Sequence, residues 1–156
     1  MVKKIYFSTL LSIIALNVVA MSGENTEQIS HLQSQIKAVL RSWQRANATL
    51  EKIEKTAGSV YSQASTAANN LIAHEDVKAK MTAIADEQFD AIANQKASYT
   101  PINFLKDYFA DKLAGKTAYL RIILEATANK AYRQLLWQKL INKEKELSAP
   151  TASPEA

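Results

Sequence analysis

Two histidines, fifteen carboxylates and no cysteine are the raw material for chemistry in this chain of 156 residues. His74 stands beside Glu75 and Asp76, residue types that suit a metal ligand set. Neighbouring residues on a helix point in different directions, however, and no second histidine is close in sequence, so the cluster reads as a helix boundary. No glutamate has a histidine three residues on, which removes the Glu-x-x-His pairs of a di-iron carboxylate bundle. The His-Glu-x-x-His pattern of zinc peptidases is absent too. Serine catalysis needs a base held on the nucleophile and usually a strained turn, and there is no Gly-x-Ser-x-Gly. Gly23, Gly58 and Gly115 are isolated, which leaves no phosphate loop. Glu51 with Glu54, and Asp86 with Asp90, pair carboxylates on single helix turns, but Lys52, Lys55 and Lys80 nearby mark solvated faces. Met81 and His74 are seven apart on one face and cannot supply haem ligands from facing helices. No catalytic residue, metal or cofactor is assigned, and the chain reads as a non-enzyme.

The aromatic residues are more informative. Between Tyr99 and Tyr119, Ile102, Leu105, Phe109 and Leu113 form one apolar stripe and are expected in the core. Phe104 and Tyr108, four apart, fall on a neighbouring stripe. One reading packs them under the loop at the base of the second helix. The other makes Tyr99, Phe104, Tyr108 and Tyr119 an aromatic contact surface for a protein partner, in keeping with the enrichment of Tyr and Phe at interfaces.

The elements that must position these residues are helical. From Ile29 to Leu71 the apolar positions keep a heptad: Ile29, Ile36, Trp43, Leu50, Ala57, Ala64 and Leu71 in one set, and Leu32, Val39, Ala46, Ile53, Val60 and Ala67 in the other. Thr26 suits the N-cap. His31 falls off this stripe and is expected at the surface. Unbroken, the segment would reach about 65 Å. Its second half is built on alanine and serine, which bury little area, so bending, fraying or partner contact is expected from Gly58 to Ala73. A break at Asn69 to His74 leads to a second helix from about Glu75 to Lys96. After a loop at Ala97 to Thr100, Thr100 as N-cap and Pro101 at the first position begin a third helix reaching Leu147, interrupted only by Gly115. That helix carries a second apolar stripe of Ile122, Ile123, Leu136, Leu140 and Ile141.

The expected fold is all-α, an elongated three-helix bundle with long first and last helices, occupying residues 24–147. Residues 148–156 hold two prolines among small residues and read as a disordered tail. Residues 1–20 read as a cleaved signal peptide: Lys3 and Lys4 precede an uncharged, largely apolar run from Ile5, and Val18 and Ala20 fit the cleavage positions. Removing that segment leaves 17 basic against 15 acidic residues, a net charge of +2 where the whole chain has +4. A nearly neutral mature chain argues against nucleic acid as a partner, and no stable membrane span is expected after cleavage. Composition is that of an ordinary globular protein, 47% hydrophobic and 22% charged, which excludes a wholly disordered chain and a polytopic membrane protein.

The signal segment, the long helix from Ile29, the Ala- and Ser-rich stretch from Gly58 to Ala73 and the long helix from Pro101 to Leu147 together resemble the minor pilin subunits of bacterial type IV secretion systems. The resemblance is one of layout and covers most of the mature chain. This chain is shorter than a typical member and lacks a proline-containing apolar segment after the signal. The resemblance implies a subunit at the tip of a conjugation or secretion pilus, acting in assembly and host-cell attachment, located in the periplasm or at the bacterial cell surface. Its partners would be other subunits of the apparatus or a host-cell protein, with a homo-oligomer also open. Two other classes compete: a soluble periplasmic helical chaperone (a holdase), and an exported inhibitor or immunity module.

Overall fold

The computed structural model describes residues 23–149. The expected signal peptide and all of the expected tail beyond 149 lie outside them. Among the described residues the chain is helical almost throughout and has no strand. It forms α1 (Gly23–Ala57), α2 (Ser59–Ala73), α3 (Glu75–Ala93), α4 (Phe104–Tyr108), α5 (Ala110–Leu113) and α6 (Ala118–Ser148). The first and last are the long ones, at 35 and 31 residues. No helix among the described residues is long and apolar enough to cross a membrane.

The heptad of α1 is buried as its pattern requires. Ile29, Leu32, Ile36 and Val39 are fully covered, and Trp43, Ala46 and Leu50 nearly so. Burying each large aliphatic side chain is worth roughly 1.5–3 kcal/mol, so this stripe holds α1 in place. The pattern continues into α2 only in part: Ala64 and Leu71 of the first set stay on the core side, while the second set does not. At Gly58 the backbone turns to φ 55°, ψ −125°, a conformation that excludes most residues with a Cβ. Ala64, as expected, and Ala68, outside the expected sets, are the buried positions of α2, with Tyr61, Leu71 and Ile72 packed beside them. Val60 and Ala67, expected inside, face out. Of the break expected at Asn69 to His74, only His74 leaves the helix: Asn69 to Ala73 are the end of α2, and His74 separates it from α3.

The middle helix begins at Glu75 as expected but ends at Ala93, three residues early. Gln95 adopts φ 58°, its N–H donates to the Ile92 carbonyl (3.0 Å), and the Lys96 N–H reaches back to the Ala91 carbonyl (2.8 Å). That is a Schellman stop with a glutamine in the place glycine usually takes.

The expected third helix from Pro101 is three helices instead. Residues 94–103 form the connection, and Asn103, not Thr100, caps α4: its Oδ1 accepts from the Lys106 N–H (3.4 Å), while Asp107 Oδ2 accepts from the Asn103 N–H (3.1 Å). The chain breaks at Phe109 (φ −139°, ψ 46°) and again at Gly115 (φ 74°). Thr117 then caps α6, its Oγ1 accepting from the Leu120 N–H at 3.3 Å. The spacing of Ile102, Leu105, Phe109 and Leu113 fits one long helix as well as two short ones. The local caps decide between them.

α6 is the centre of the fold and packs on α1, α2, α3 and α4. It runs antiparallel to α1: Ser42 meets Arg133, and further along α1 Thr49 shares a cleft with Ile122, earlier on α6. Exposed Ala67 and half-buried Leu71 of α2 share a cleft with Leu120 and Leu124. Further along, Lys139 is ion-paired with Asp86 of α3. The core between these helices includes Met81, Ile84, Phe104, Leu105, Leu136 and Leu140.

Candidate functional site

The four aromatics expected to form one surface are divided among different environments. Phe104 is fully buried. Its ring stacks on Tyr132 of α6 with centroids 6.0 Å apart and planes 17° apart, and lies 5.6 Å from Tyr108 and 5.8 Å from Phe109. Its N–H donates to Asn129 Oδ1 at 2.8 Å, which ties α4 to α6. Phe104 is therefore core and not part of an exposed contact surface. Tyr108 stays at the surface, 38% exposed, with Lys80 Nζ 5.4 Å from its ring centre. Tyr119 is half-buried at the start of α6, close enough to Tyr61 of α2 to influence its titration, and its hydroxyl is enclosed with no hydrogen-bond partner.

Tyr99 belongs to a polar seam between α1 and the connection before α4. Its N–H donates to Gln35 Oε1 and its hydroxyl to Ser42 Oγ, the latter at 2.9 Å. Gln35 and Ser42 are both buried. The Ser42 carbonyl accepts from Arg133 Nη1 at 2.7 Å, and Arg133 Nη2 donates to the Ile102 carbonyl at 3.4 Å. Three parts of the chain, α1, the 94–103 connection and α6, thus meet at Ser42. Burial pushes the Tyr132 hydroxyl above its ordinary range, with Tyr99 and Tyr108 adding to the effect.

The two histidines lie in different surroundings. His74 Nδ1 lies 3.6 Å from Asp76, and both side chains are exposed. Partial desolvation raises the Asp76 pKa, but the Val77 N–H at 2.9 Å and the Lys112 ammonium at 3.5 Å lower it, and the net result lies below the usual carboxylate value. His31, expected at the surface, is half-buried, with Nε2 3.1 Å from the Ile92 carbonyl. No group of acids and histidines that could hold a metal ion occurs among the described residues.

Among the described residues, clefts open on α6. One of about 400 Å³ lies over Ala67 and Leu71 of α2, with Lys112, Lys116 and Asp111 at its edge. Another, about 300 Å³, opens between α1 and α6 and is lined by Ser42, Arg45, Thr49, Asn129, Glu125 and Arg133, with Pro101 and Ile122 on its apolar side. Ile122, expected in an apolar stripe, is 46% exposed here.

Comparison with protein-family models, curated proteins and solved structures finds no match.

Tyr132 and Arg133 were not legible as site residues, though each left a trace. Tyr132 continues the Leu136–Leu140 spacing by one step of four. Arg133 stands four before Trp137 and eight before Ile141, a charge in an apolar register.

Proposed function

We propose that this chain is an exported, non-enzymatic structural and adhesive protein, a minor pilus component of a type IV secretion or conjugation apparatus that contributes to assembly and host-cell attachment. The observation that carries this reading is the layout. Two long antiparallel helices, α1 and α6, are joined through shorter helical elements. They follow an N-terminal segment whose lysines and apolar run suit export.

A holdase needs a broad apolar surface for varied clients. Among the described residues the large apolar side chains left exposed are Val60, Tyr108 and Ile122, one each on α2, α4 and α6. Separate contacts of this kind suit a subunit that engages defined partners, and favour that reading over the chaperone.

Location tests it. An antibody to the protein is used on native cells whose surface appendages have been sheared off, and the sheared, periplasmic and membrane fractions are compared. Recovery with the filaments is the expected result. Recovery only in the soluble periplasm overturns the pilus assignment and moves the periplasmic chaperone and the exported inhibitor or immunity module to the front.

A further inference from the structure

The cleft between α1 and α6 contains a charge that the fold leaves unbalanced. Arg133 is 9% exposed. Its two Nη atoms donate to the neutral carbonyls of Ser42 and Ile102, and its Nε is enclosed with no hydrogen-bond partner. Among the described residues no carboxylate is ion-paired with it. A buried guanidinium without a counter-charge is costly, because its lost hydration is only partly replaced by neutral acceptors. Arg45 supplies a second guanidinium to the same lining, and Glu125 is the one carboxylate there, so the lining carries a formal charge of +1.

We propose that this cleft binds a single carboxylate, presented by a partner protein as an acidic side chain next to an apolar residue. The two backbone carbonyls hold the Arg133 guanidinium in one orientation, which lowers the ordering cost of binding an anion. Guanidinium groups match the planar carboxylate, and a monoanion neutralises the lining where a phosphate dianion would overshoot it and face Glu125. Ile122 and Pro101 offer the adjoining apolar residue a surface now in water. A volume of about 300 Å³ lies at the small end of ligand sites, suited to one side chain rather than a large cofactor.

The inference rests on the reading that the chain acts by binding another protein. Its test concerns the cleft alone, so the cell-fractionation result can fail without it and the reverse. The purified full chain, labelled with ¹⁵N, is titrated with acetyl-Leu-Glu-amide, with acetyl-Leu-Gln-amide, with glutarate and with inorganic phosphate. The glutamate peptide is expected to shift the amides around Ser42, Thr49, Ile122 and Asn129 saturably, and the other three to bind much more weakly. Arg45→Gln should weaken the glutamate peptide by roughly two- to fivefold, the scale of an exposed charge contact. Glu125→Gln should tighten it. Both positions are away from the core, and circular dichroism confirms that each variant is folded. Equal binding of the glutamate and glutamine peptides overturns the proposal, as do shifts confined to other surfaces or an affinity indifferent to both substitutions. Glutarate or phosphate binding as tightly as the peptide overturns the assignment to a partner's side chain.

Discussion

Arg133 Nη1 donates to the Ser42 carbonyl at 2.7 Å, joining two residues 91 positions apart and fixing the last helix against the first. The Ser42 hydroxyl in turn accepts from Tyr99 at 2.9 Å, so one serine links α1 to both later segments. The value of this contact differs from that of the charge that makes it. Replacing Arg133 by alanine removes its packing as well as its donors and should cost about 2–4 kcal/mol. Replacing it by methionine keeps much of the volume and discards the buried charge, and should cost clearly less. Urea denaturation of the two variants decides this. A methionine variant as unstable as the alanine one would mean that the hydrogen bonds outweigh the desolvation cost.

Phe104 and Tyr108 are neighbours with opposite roles. Phe104→Ala empties a fully covered site and should destabilise the fold by about 3–5 kcal/mol. Tyr108→Ala removes a partly exposed ring and should cost under about 1 kcal/mol. Thermal unfolding of the single variants separates the two roles. Similar losses for both would place Tyr108 in the core as well.

The Tyr99–Ser42 hydrogen bond can be weighed by itself. Tyr99→Phe should lower stability by about 0.5–1.5 kcal/mol. In a double-mutant cycle with Ser42→Ala, the two losses should fall short of additivity, since either change breaks the same bond. Strict additivity would show that the contact contributes nothing in solution.

Two backbone sites should respond in opposite senses. Gly58 sits at φ 55°, ψ −125°, where a Cβ meets no neighbouring atom but the backbone itself is strained, so Gly58→Ala should destabilise by roughly 1–3 kcal/mol. Gln95 holds φ 58° at the end of α3, so Gln95→Gly should raise stability by about 1 kcal/mol. Melting temperatures that move in the same direction for both would contradict this account of the two turns.

Alkaline pH should weaken the fold through Tyr132. Its hydroxyl titrates above the ordinary value because burial disfavours the phenolate. The unfolded chain loses this proton near pH 10, before the folded one does. The neutral hydroxyl's contribution is therefore complete below about pH 10 and declines as pH rises through the folded-state value. Urea midpoints measured from pH 8 to pH 11 should fall less steeply in Tyr132→Phe than in the unsubstituted protein. Identical slopes would remove Tyr132 from the alkaline transition.

The helical character and the inner face of α1 were legible in the sequence because they depend on neighbours three and four residues apart. Ile29 to Leu50 shows this: its spacing names the buried positions, and they are buried. His74 as a boundary was legible for the same local reason. In α2, Ala64 and Leu71 were legible, but the burial of Ala68 and the exposure of Val60 and Ala67 were not, because the break at Gly58 interrupts the heptad. Nor was the division of the last segment. Asn103 and Thr117 are caps only if the chain turns there, and the turn is favoured once Phe104 can reach Tyr132 and its N–H can reach Asn129. The cleft over Arg133 was hidden more deeply, since its parts come from α1, the 94–103 connection and α6. Spacing alone was enough for the overall helical character and for the apolar face of the first helix. Which aromatics are core and which charges are buried depends on contacts between residues far apart in the chain, as Phe104 with Tyr132 and Arg133 with Ser42 show, and local spacing does not encode them.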